Sequence, residues 1–257
     1  INIIEKLGKE ENVFVYSAPG IFNWSELNNR AATMTKDGII VFANDDMLML
    51  SQGWDENIRA ALEAPQVGVL GAKLLYPDQT IQHGGIIFGW NDSVIHDGVF
   101  EDTTSSAQLG RWQMERHVSA VTGAFMCVRK SIFESVGGFD SQNFAVSYND
   151  VDFCLRIRQT GYGVIWSPNI TLLHYESKSR GVDYLFPAKR ARDDAERKAI
   201  YRKWGKKIFE QDPTVNPIWY DATIPFSLLR PVTVERVISY LGFECSNLDG
   251  SVRKNEK

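Results

Sequence analysis

Short apolar runs alternate with amphipathic segments along the first two thirds of the chain. The runs at 13–16 and 39–43 predict β-strands, because polar or glycine-containing turns bound each of them. The segments 23–36 and 54–64 have the periodicity of helices with one apolar face. The chain therefore begins as a series of strands and helices.

The middle of the chain continues this alternation. The sequence predicts a pair of strands over 67–76, broken at Pro77, and a long irregular loop over the polar residues 91–117. Further strands are predicted at 81–90, 121–128, 163–168 and 170–177, and further helices from Ser131 onward and over 149–160. This order is typical of an α/β protein in which helices flank a sheet.

The last quarter of the chain is more charged. A helix is predicted over 187–210, with sparse apolar positions that we expect to pack on the preceding domain. Those positions are Ala195, Ile200, Trp204 and Phe209. The sequence thus predicts one domain over 1–183 and a C-terminal helix with an extended tail over 184–257.

Composition narrows the class of protein. The 257 residues are 44% hydrophobic and 23% charged, which is ordinary for a soluble globular protein with a substantial core. The formal net charge is −4, whereas a nucleic-acid partner requires a basic face. We therefore predict no nucleic-acid partner.

The cysteines and the lengths of the apolar runs predict a location. The three cysteines, Cys127, Cys154 and Cys245, are odd in number, and none is spaced for metal binding. Two of them lie inside apolar segments, which favours buried thiols and a reducing compartment. No apolar run approaches the roughly 20 residues that span a bilayer. The sequence predicts a cytoplasmic protein without a transmembrane segment, a location that leaves room for peripheral membrane contact.

Acidic residues end the strand predicted at 39–43. Asn44, Asp45 and Asp46 follow it directly. Ligands of open α/β sheets bind beyond the carboxyl ends of strands. A divalent cation would relieve the repulsion between two adjacent carboxylates, since hard cations prefer oxygen ligands. A loop with an aspartate N-cap fits the same residues, so both interpretations stay open.

A second acidic group opens the helix predicted over 149–160. Asp150 or Asp152 could act as a general base, or could complement the positive end of the helix dipole. His174 ends an apolar run and His83 lies in "IQHGG"; each could be a metal ligand or a structural histidine. Gly123 would let a substrate approach the backbone closely, although glycine also marks turns.

Several motifs in a fixed order carry a family resemblance. They are "FNWSELNNRAA", "VFANDD", "GAKLLYPDQTIQHGG", "SAVTGAFMCVRKSIFESVGGFD", "NDVDFCLRIRQTGYGVIWSP", "LLHYESKSRG" and "WGKKIFEQDPTVNP". Together they resemble glycosyltransferase family 2, in particular bacterial members that build surface polysaccharide or O-antigen, some of them rhamnosyltransferases. The resemblance covers nearly all of residues 13–217.

The resemblance implies a GT-A fold, in which helices flank a mixed sheet that binds a nucleotide-diphosphate sugar and Mn²⁺ or Mg²⁺. Asp46 falls on the family's metal-binding acid, and His174 matches a histidine that completes this site in some members. Asn44 and Asp45 take the other two positions of the same motif and would contact the donor. Asn29, beside Asn28, falls near the nucleotide pocket.

The family's catalytic acid pair falls on Asn149 and Asp150. Asp150 would be the catalytic base, with Asn149 and Asp152 in supporting roles, and Gly123 would contact the donor. By resemblance the reaction is a single displacement that inverts the anomeric carbon, with a glycan or lipid-linked glycan as acceptor.

One departure from the family leaves a rival interpretation. Members begin with a strand and a base-gripping segment ahead of the point where this sequence starts, so the resemblance implies an N-terminally truncated domain. An inactive fragment or sugar-binding module of the same fold is the first alternative. A nucleotidyltransferase or phosphohydrolase is the second, but no glycine-rich phosphate loop is visible.

Overall fold

The computed structural model describes most of the chain up to Phe209 and isolated parts of the tail. The described residues are 3–90, 93–175, 187–209, 212–216, 219, 226, 233–235 and 237–238. The predicted extended tail therefore lies largely outside the described residues. The division of the chain at residue 183 also stays a prediction, because residues 176–186 are outside that part of the structure.

Helices and strands alternate as the sequence predicts. The helices are α1 (Ile3–Leu7), α2 (Trp24–Met34), α3 (Trp54–Glu63), α4 (Lys130–Ser135), α5 (Asn149–Gln159) and α6 (Pro187–Trp204). The strands are β1 (Ile39–Ala43), β2 (Met47–Met49), β3 (Val67–Leu75), β4 (Ile81–His83), β5 (Ile86–Trp90), β6 (Ser93–His96), β7 (Arg116–His117), β8 (Phe125–Arg129) and β9 (Gly163–His174). Short 3₁₀ turns lie at Gln108–Gly110 and Lys206–Phe209.

The main sheet is mixed. Five of its seven strands follow the order β1-β8-β3-β9-β2, while β4 pairs with β3 and β7 with β9. β3 and β9 are parallel and the other pairs are antiparallel, so β1, β3 and β9 all run in one direction. Their carboxyl ends consequently lie at the same edge of the sheet. This mixed sheet with flanking helices confirms the predicted α/β fold class.

Helices cover both faces of the sheet, and β3 is buried along all nine residues. Successive side chains of a strand point to opposite faces. Val69 accordingly belongs to the same core cluster as Ile157 of α5, whereas Leu70 packs with Ile58 and Leu62 of α3. The two layers explain why the strand is apolar without interruption.

β3 is one strand, so the predicted pair of strands over 67–76 is wrong. Two glycines let its neighbours approach closely. A Cβ at Gly68 would lie 2.5 Å from Ile157, and a Cβ at Gly71 would lie 2.5 Å from Val121. Packing against α5 and the segment before β8 thus determines these two positions.

Two other predictions of strand boundaries are also wrong. β9 is continuous over twelve residues, because an irregularity in its register with β3 accommodates Pro168, which the sequence places between two separate strands. The predicted loop 91–117 contains β6, which forms a hairpin with β5, and β7, which pairs with β9. In both places, pairing with another strand stabilises a segment whose local sequence does not favour a strand.

The strand predicted at 13–16 does not form. Among the described residues it has no β-partner, and Phe14 and Val15 are 79% and 54% exposed. Its contact with the fold is made by Tyr16, whose ring lies 4.8 Å below the guanidinium carbon of Arg30 on α2. An apolar sequence alone does not form a strand without a neighbour to pair with.

Helix α6 lies within the predicted segment 187–210 and packs on the domain, with one error in the predicted face. Ile200 and Phe209 are buried and Trp204 is partly buried, as expected. Ala195 is exposed, and the next residue, Glu196, is buried in its place. The polar contacts of Glu196, described below, explain this difference.

The buried cysteines yield a test of packing. Cys127 and Cys154 are unpaired and fully buried, and burial raises the pKa of Cys154 to about 12 and the pKa of Cys127 well above its usual range. We expect iodoacetamide to leave both thiols unmodified in the native protein and to modify both in denaturant, as followed by peptide mass spectrometry. Rapid native modification of either thiol would contradict this packing.

Candidate active site

The turn Asn44–Asp46 joins β1 to β2 at the edge where β1, β3 and β9 end. Its backbone is fixed on both sides. Asn44 N donates to Ala124 O at 2.9 Å, and Tyr175 N donates to Asp46 O at 2.9 Å. The first pair of β2 with β9 is Met47 with His174, so the register itself brings Asp46 next to His174.

The side chains of Asp46 and His174 are in direct contact. His174 Nε2 lies 3.1 Å from Asp46 Oδ1, and both side chains are largely buried. Although the distance is short, Asp46 Oδ1 is a buried oxygen without a hydrogen-bond partner. A buried carboxylate oxygen in this state is costly unless something else compensates it.

Neighbouring amides fix the tautomer of His174. Its Nδ1 lies 2.6 Å from Gln82 Oε1. Because an amide oxygen can only accept, Nδ1 is the donor of this hydrogen bond. Asn44 Nδ2 points at His174 Nε2 from 3.5 Å, and Trp24 Nε1 in turn donates to Asn44 Oδ1 at 3.4 Å. In a neutral ring that donates from Nδ1, the lone pair of Nε2 lies on the side of Asp46 and Asn44.

This arrangement fits a divalent cation. An imidazole nitrogen and a carboxylate oxygen are common metal ligands, and Gln82 holds the imidazole as outer-shell partners hold metal-ligating histidines. Within the described ranges no group of three or more His, Cys, Asp or Glu side chains could hold a metal by itself. Asp46 and His174 would therefore supply two ligands, and a bound diphosphate or water would supply the others.

Sequence reasoning did not identify Gln82, although it singled out the adjacent His83. His83 is fully buried, its Nε2 accepts from Thr122 N at 3.4 Å, and its ring packs against that of His96. Burial and the neighbouring His96 lower the pKa of His83 well below its ordinary value, so the ring is neutral at pH 7. His83 is thus a structural histidine.

Gln82 provides a test of the metal site. We expect Gln82→Ala to weaken Mn²⁺-dependent binding of a nucleoside diphosphate by ~10–100-fold, because the His174 ring loses the acceptor that orients it. Titration calorimetry measures this without turnover. The control is Gln52→Ala, at an exposed glutamine near β2. Equal affinity of Gln82→Ala and the unmodified protein would contradict this role.

Asp150 lies in the first turn of α5, partly exposed. Its Oδ2 accepts from Gly123 N at 3.0 Å and its Oδ1 from Val151 N at 2.8 Å. The residue after Gly123 is Ala124, whose carbonyl holds Asn44. The short segment 123–124 therefore connects the Asp46 turn with Asp150, and both acids lie at the same end of the sheet.

Gly123 packs closely against Trp24 of α2. A Cβ at this position would lie 3.0 Å from the indole ring of Trp24. Its backbone N–H, rather than a side chain, makes the contact with Asp150. The predicted contact of Gly123 with a donor is compatible with this position and stays a prediction.

Asn149 and Asp152 support the first turn of α5. Asn149 is buried, and its Oδ1 accepts from Asp150 N at 2.7 Å. Asp152 is fully buried, and it binds Arg156 Nε at 2.8 Å, Trp204 Nε1 at 2.9 Å and Lys203 Nζ at 2.8 Å. These contacts make Asp152 an anchor between α5 and α6.

Replacing Asp152 should therefore affect stability. We expect Asp152→Ala to lower the free energy of unfolding by about 3 kcal/mol, because Arg156 and Lys203 lose a buried carboxylate. Urea denaturation measures this value. Asp194→Ala, which removes a partly exposed carboxylate paired with Arg197 on the same α6, should change it by less than about 1 kcal/mol. Equal effects of the two changes would contradict the anchoring role.

Asn29 and Asp45 are the remaining residues predicted to bind the donor. Asn29 makes two hydrogen bonds with the backbone of Phe139, one as donor and one as acceptor, each 2.8 Å long. Its amide is thus used by the fold, and we leave Asn29 out of the proposed donor site. Asp45 is exposed at the tip of the turn.

The family profile of "Glycosyl transferase family group 2" matches residues 29–210. The chain belongs to this family, whose members are enzymes that transfer glycosyl groups. The solved structure titled "Crystal structure of GalNAc-T7 with UDP, GalNAc and Mn2+" superimposes with a TM-score of 0.55 at 13% identity, over 67% of this chain and 34% of that one. The fold is accordingly GT-A, as the resemblance implies.

Three curated relatives are similar over shorter parts of their length. Uncharacterized protein y4gI of Sinorhizobium fredii (strain NBRC 101917 / NGR234) is 35% identical over 82% of this chain and 23% of its own. O-antigen biosynthesis protein RfbC of Myxococcus xanthus is 33% identical over 76% and 15%. The N-acetylglucosaminyl-diphospho-decaprenol L-rhamnosyltransferase of Mycobacterium tuberculosis (strain CDC 1551 / Oshkosh) is 30% identical over 57% and 50%. The chain thus spans half or less of each relative.

In the described part of the chain, none of the helices is both long and apolar enough to cross a membrane.

Proposed function

We propose that this chain is the catalytic domain of an inverting, metal-dependent glycosyltransferase that uses a nucleotide-diphosphate sugar. One observation carries the proposal. A largely buried Asp46–His174 pair, in which Asp46 Oδ1 has no hydrogen-bond partner, lies at the same sheet edge as Asp150, and residues 123–124 join the two.

Asp46 and His174 would hold Mn²⁺ or Mg²⁺ against the donor diphosphate. The bound cation would offset the negative charge that develops on the departing nucleoside diphosphate. Asn44 would keep the Nε2 side of His174 oriented, and Asp45, exposed beside it, is free to meet the donor. The mixed carboxylate and imidazole ligand set, with Gln82 behind it, supports this assignment.

Asp150 would be the general base. Its carboxylate removes the proton of the acceptor hydroxyl, whose oxygen forms a bond to the anomeric carbon as the bond to the diphosphate oxygen breaks. Because attack and departure occur on opposite faces, the anomeric configuration inverts. The N–H groups of Gly123 and Val151 stabilise the ionised carboxylate, as does the N-terminal end of α5.

The names of the relatives suggest the acceptor. RfbC is an O-antigen biosynthesis protein, and the mycobacterial relative acts on a diphospho-decaprenol compound. We propose a glycan or lipid-linked glycan acceptor in surface polysaccharide synthesis, with the active site facing the cytoplasm. A rhamnosyl donor is the first to try.

The first experiment is thermal unfolding with UDP, GDP or dTDP, each with Mn²⁺ and with EDTA. A ligand that binds the native state raises the melting temperature by mass action, so at least one nucleotide should do so only with metal. Binding without release of nucleoside diphosphate from any nucleotide sugar would favour the alternative of a sugar-binding module. No metal-dependent stabilisation by any nucleotide would contradict the proposed site.

A further inference from the structure

Glu196 is a buried acidic residue on the otherwise charged and exposed part of α6. It is 5% exposed, whereas the adjacent Ala195 and Arg197 are exposed. Its carboxylate reaches across to the loop that precedes α5. Oε1 accepts from Ala145 N at 3.2 Å, and Oε2 accepts from Val146 N at 3.3 Å and, more closely, from Ser147 N. One side chain thus binds three consecutive backbone N–H groups.

Three N–H groups in sequence form a concave site for an anion. Hydrogen bonds to an ionised acceptor are roughly twice as strong as neutral ones, which compensates the burial of the carboxylate. Burial raises the pKa of Glu196, and the N–H groups of Ser147 and Val146 oppose that change. By comparison, Arg192 on the same helix is distant, at 3.9 Å. The main partner of Glu196 is therefore the loop.

This loop determines how α5 begins. The next residue, Tyr148, has φ 60 and ψ 3, a left-handed conformation that non-glycine residues adopt only when their surroundings hold them. Asp152 N donates to Tyr148 O at 2.9 Å, so the helical hydrogen bonds start from this strained residue. Asp150 lies between these two positions. Any relaxation of 145–147 would therefore rotate the first turn and displace the Asp150 carboxylate.

Helix α6 contacts α5 at a second point, on the other side of Asp150. Trp204 Nε1 and Lys203 Nζ bind Asp152 Oδ1 at 2.9 Å and 2.8 Å. The base is thus flanked by one α6 contact before it, through Glu196, and another after it, through Asp152. A rigid support on both sides is what precise placement of a catalytic group requires.

We propose that Glu196 is a positioning residue for Asp150, acting through the backbone of residues 145–147. The inference rests on the proposed function, and it makes α6 part of the catalytic structure and more than an appendage. Displacement of a catalytic group by about 1 Å can cost ~100-fold in rate. The hydrogen-bonded link from this loop to the donor site is indirect: Ser25 N donates to Ala145 O, and the adjacent Trp24 donates to Asn44. Donor affinity should therefore change much less than the catalytic rate.

The kinetic test compares three variants of the chain as it stands. Glu196→Ala should lower kcat by ~100-fold, and Glu196→Gln by less, since an uncharged amide oxygen still accepts hydrogen bonds. KM for the donor should stay within about twofold in both variants, because neither change removes a contact with the bound donor. The control Asp194→Asn, on a neighbouring part of α6, should leave kcat unchanged. An unchanged kcat in Glu196→Ala, or a change in KM with kcat unaffected, would overturn the inference.

Hydrogen–deuterium exchange tests the structural step without turnover. Glu196→Gln should speed exchange of the amides of 145–152 and leave β3 protected, as should Glu196→Ala. If the unmodified chain turns over no donor, the proposed function fails, yet faster exchange confined to 145–152 would still support the contact. Unchanged exchange at 145–152 in both variants, or faster exchange throughout the chain in both, would overturn the positioning role.

Discussion

Replacing Asp150 by asparagine should lower kcat by ~10²–10⁴, the usual contribution of a positioned acid or base. Asparagine is nearly isosteric, and its single oxygen can still accept from either Gly123 N or Val151 N, so the fold and the donor site should persist. It cannot take the proton from the acceptor hydroxyl. Release of nucleoside diphosphate in the presence of acceptor measures kcat, and calorimetry measures donor affinity, which should not change.

Asp152→Asn is the matched control, two residues further along α5. Asp152 is fully buried and bound to Arg156, Trp204 and Lys203, so this change should affect stability more than turnover. A variant pair with the opposite result, with Asp150→Asn near full rate and Asp152→Asn inactive, would move the base to Asp152. Full rates in both variants would contradict the proposed mechanism.

Asp46→Ala should abolish metal-dependent binding of the nucleoside diphosphate. The change removes one of the two protein ligands proposed for the cation, including the buried oxygen that has no hydrogen-bond partner in the present structure. Calorimetry with Mn²⁺ and with EDTA separates the metal-dependent part of the affinity from the rest. His174→Ala should weaken the same part.

Asp45→Ala is the control for charge. Asp45 is exposed, adjacent in the chain and equally acidic, so a general electrostatic effect of the turn would change binding similarly in both variants. Because Asp45 is proposed to contact the donor and not the cation, we expect Asp45→Ala to keep the metal-dependent part of the affinity even if the total affinity falls. Unchanged binding in Asp46→Ala would show that the assignment of the metal ligand is wrong.

The elements that sequence predicted well are those with strong local signals. β1 and α2 follow from an apolar run and a helical periodicity, and the structure places them within a few residues of the predicted bounds. The predicted pair of strands over 67–76 and the predicted break at Pro168 failed for a different reason. Pairing with neighbouring strands extends both segments through positions whose local sequence favours a turn.

The candidate functional residues also divide into those with a local sequence signal and those whose role depends on contacts between distant parts of the chain. Asp46, His174 and Asp150 belong to contiguous motifs, so resemblance could point to them. Gln82 could not be found, because its contact with His174 depends on the strand order that puts β4 and β9 on the same neighbour, β3. Glu196 could not be identified from the sequence either, because the amides that it binds are 49 to 51 positions earlier in the chain.

The most direct test of the proposed function is a donor screen with Mn²⁺, scored by release of nucleoside diphosphate. UDP, GDP and dTDP sugars, including a rhamnosyl donor, would be offered with a lipid-linked or free glycan acceptor, to the unmodified chain and to Asp150→Asn. We predict that at least one donor is consumed, that EDTA stops the reaction and that Asp150→Asn slows it by ~10²–10⁴. Release at the same rate in EDTA or in Asp150→Asn, or no release with any donor, would contradict the account.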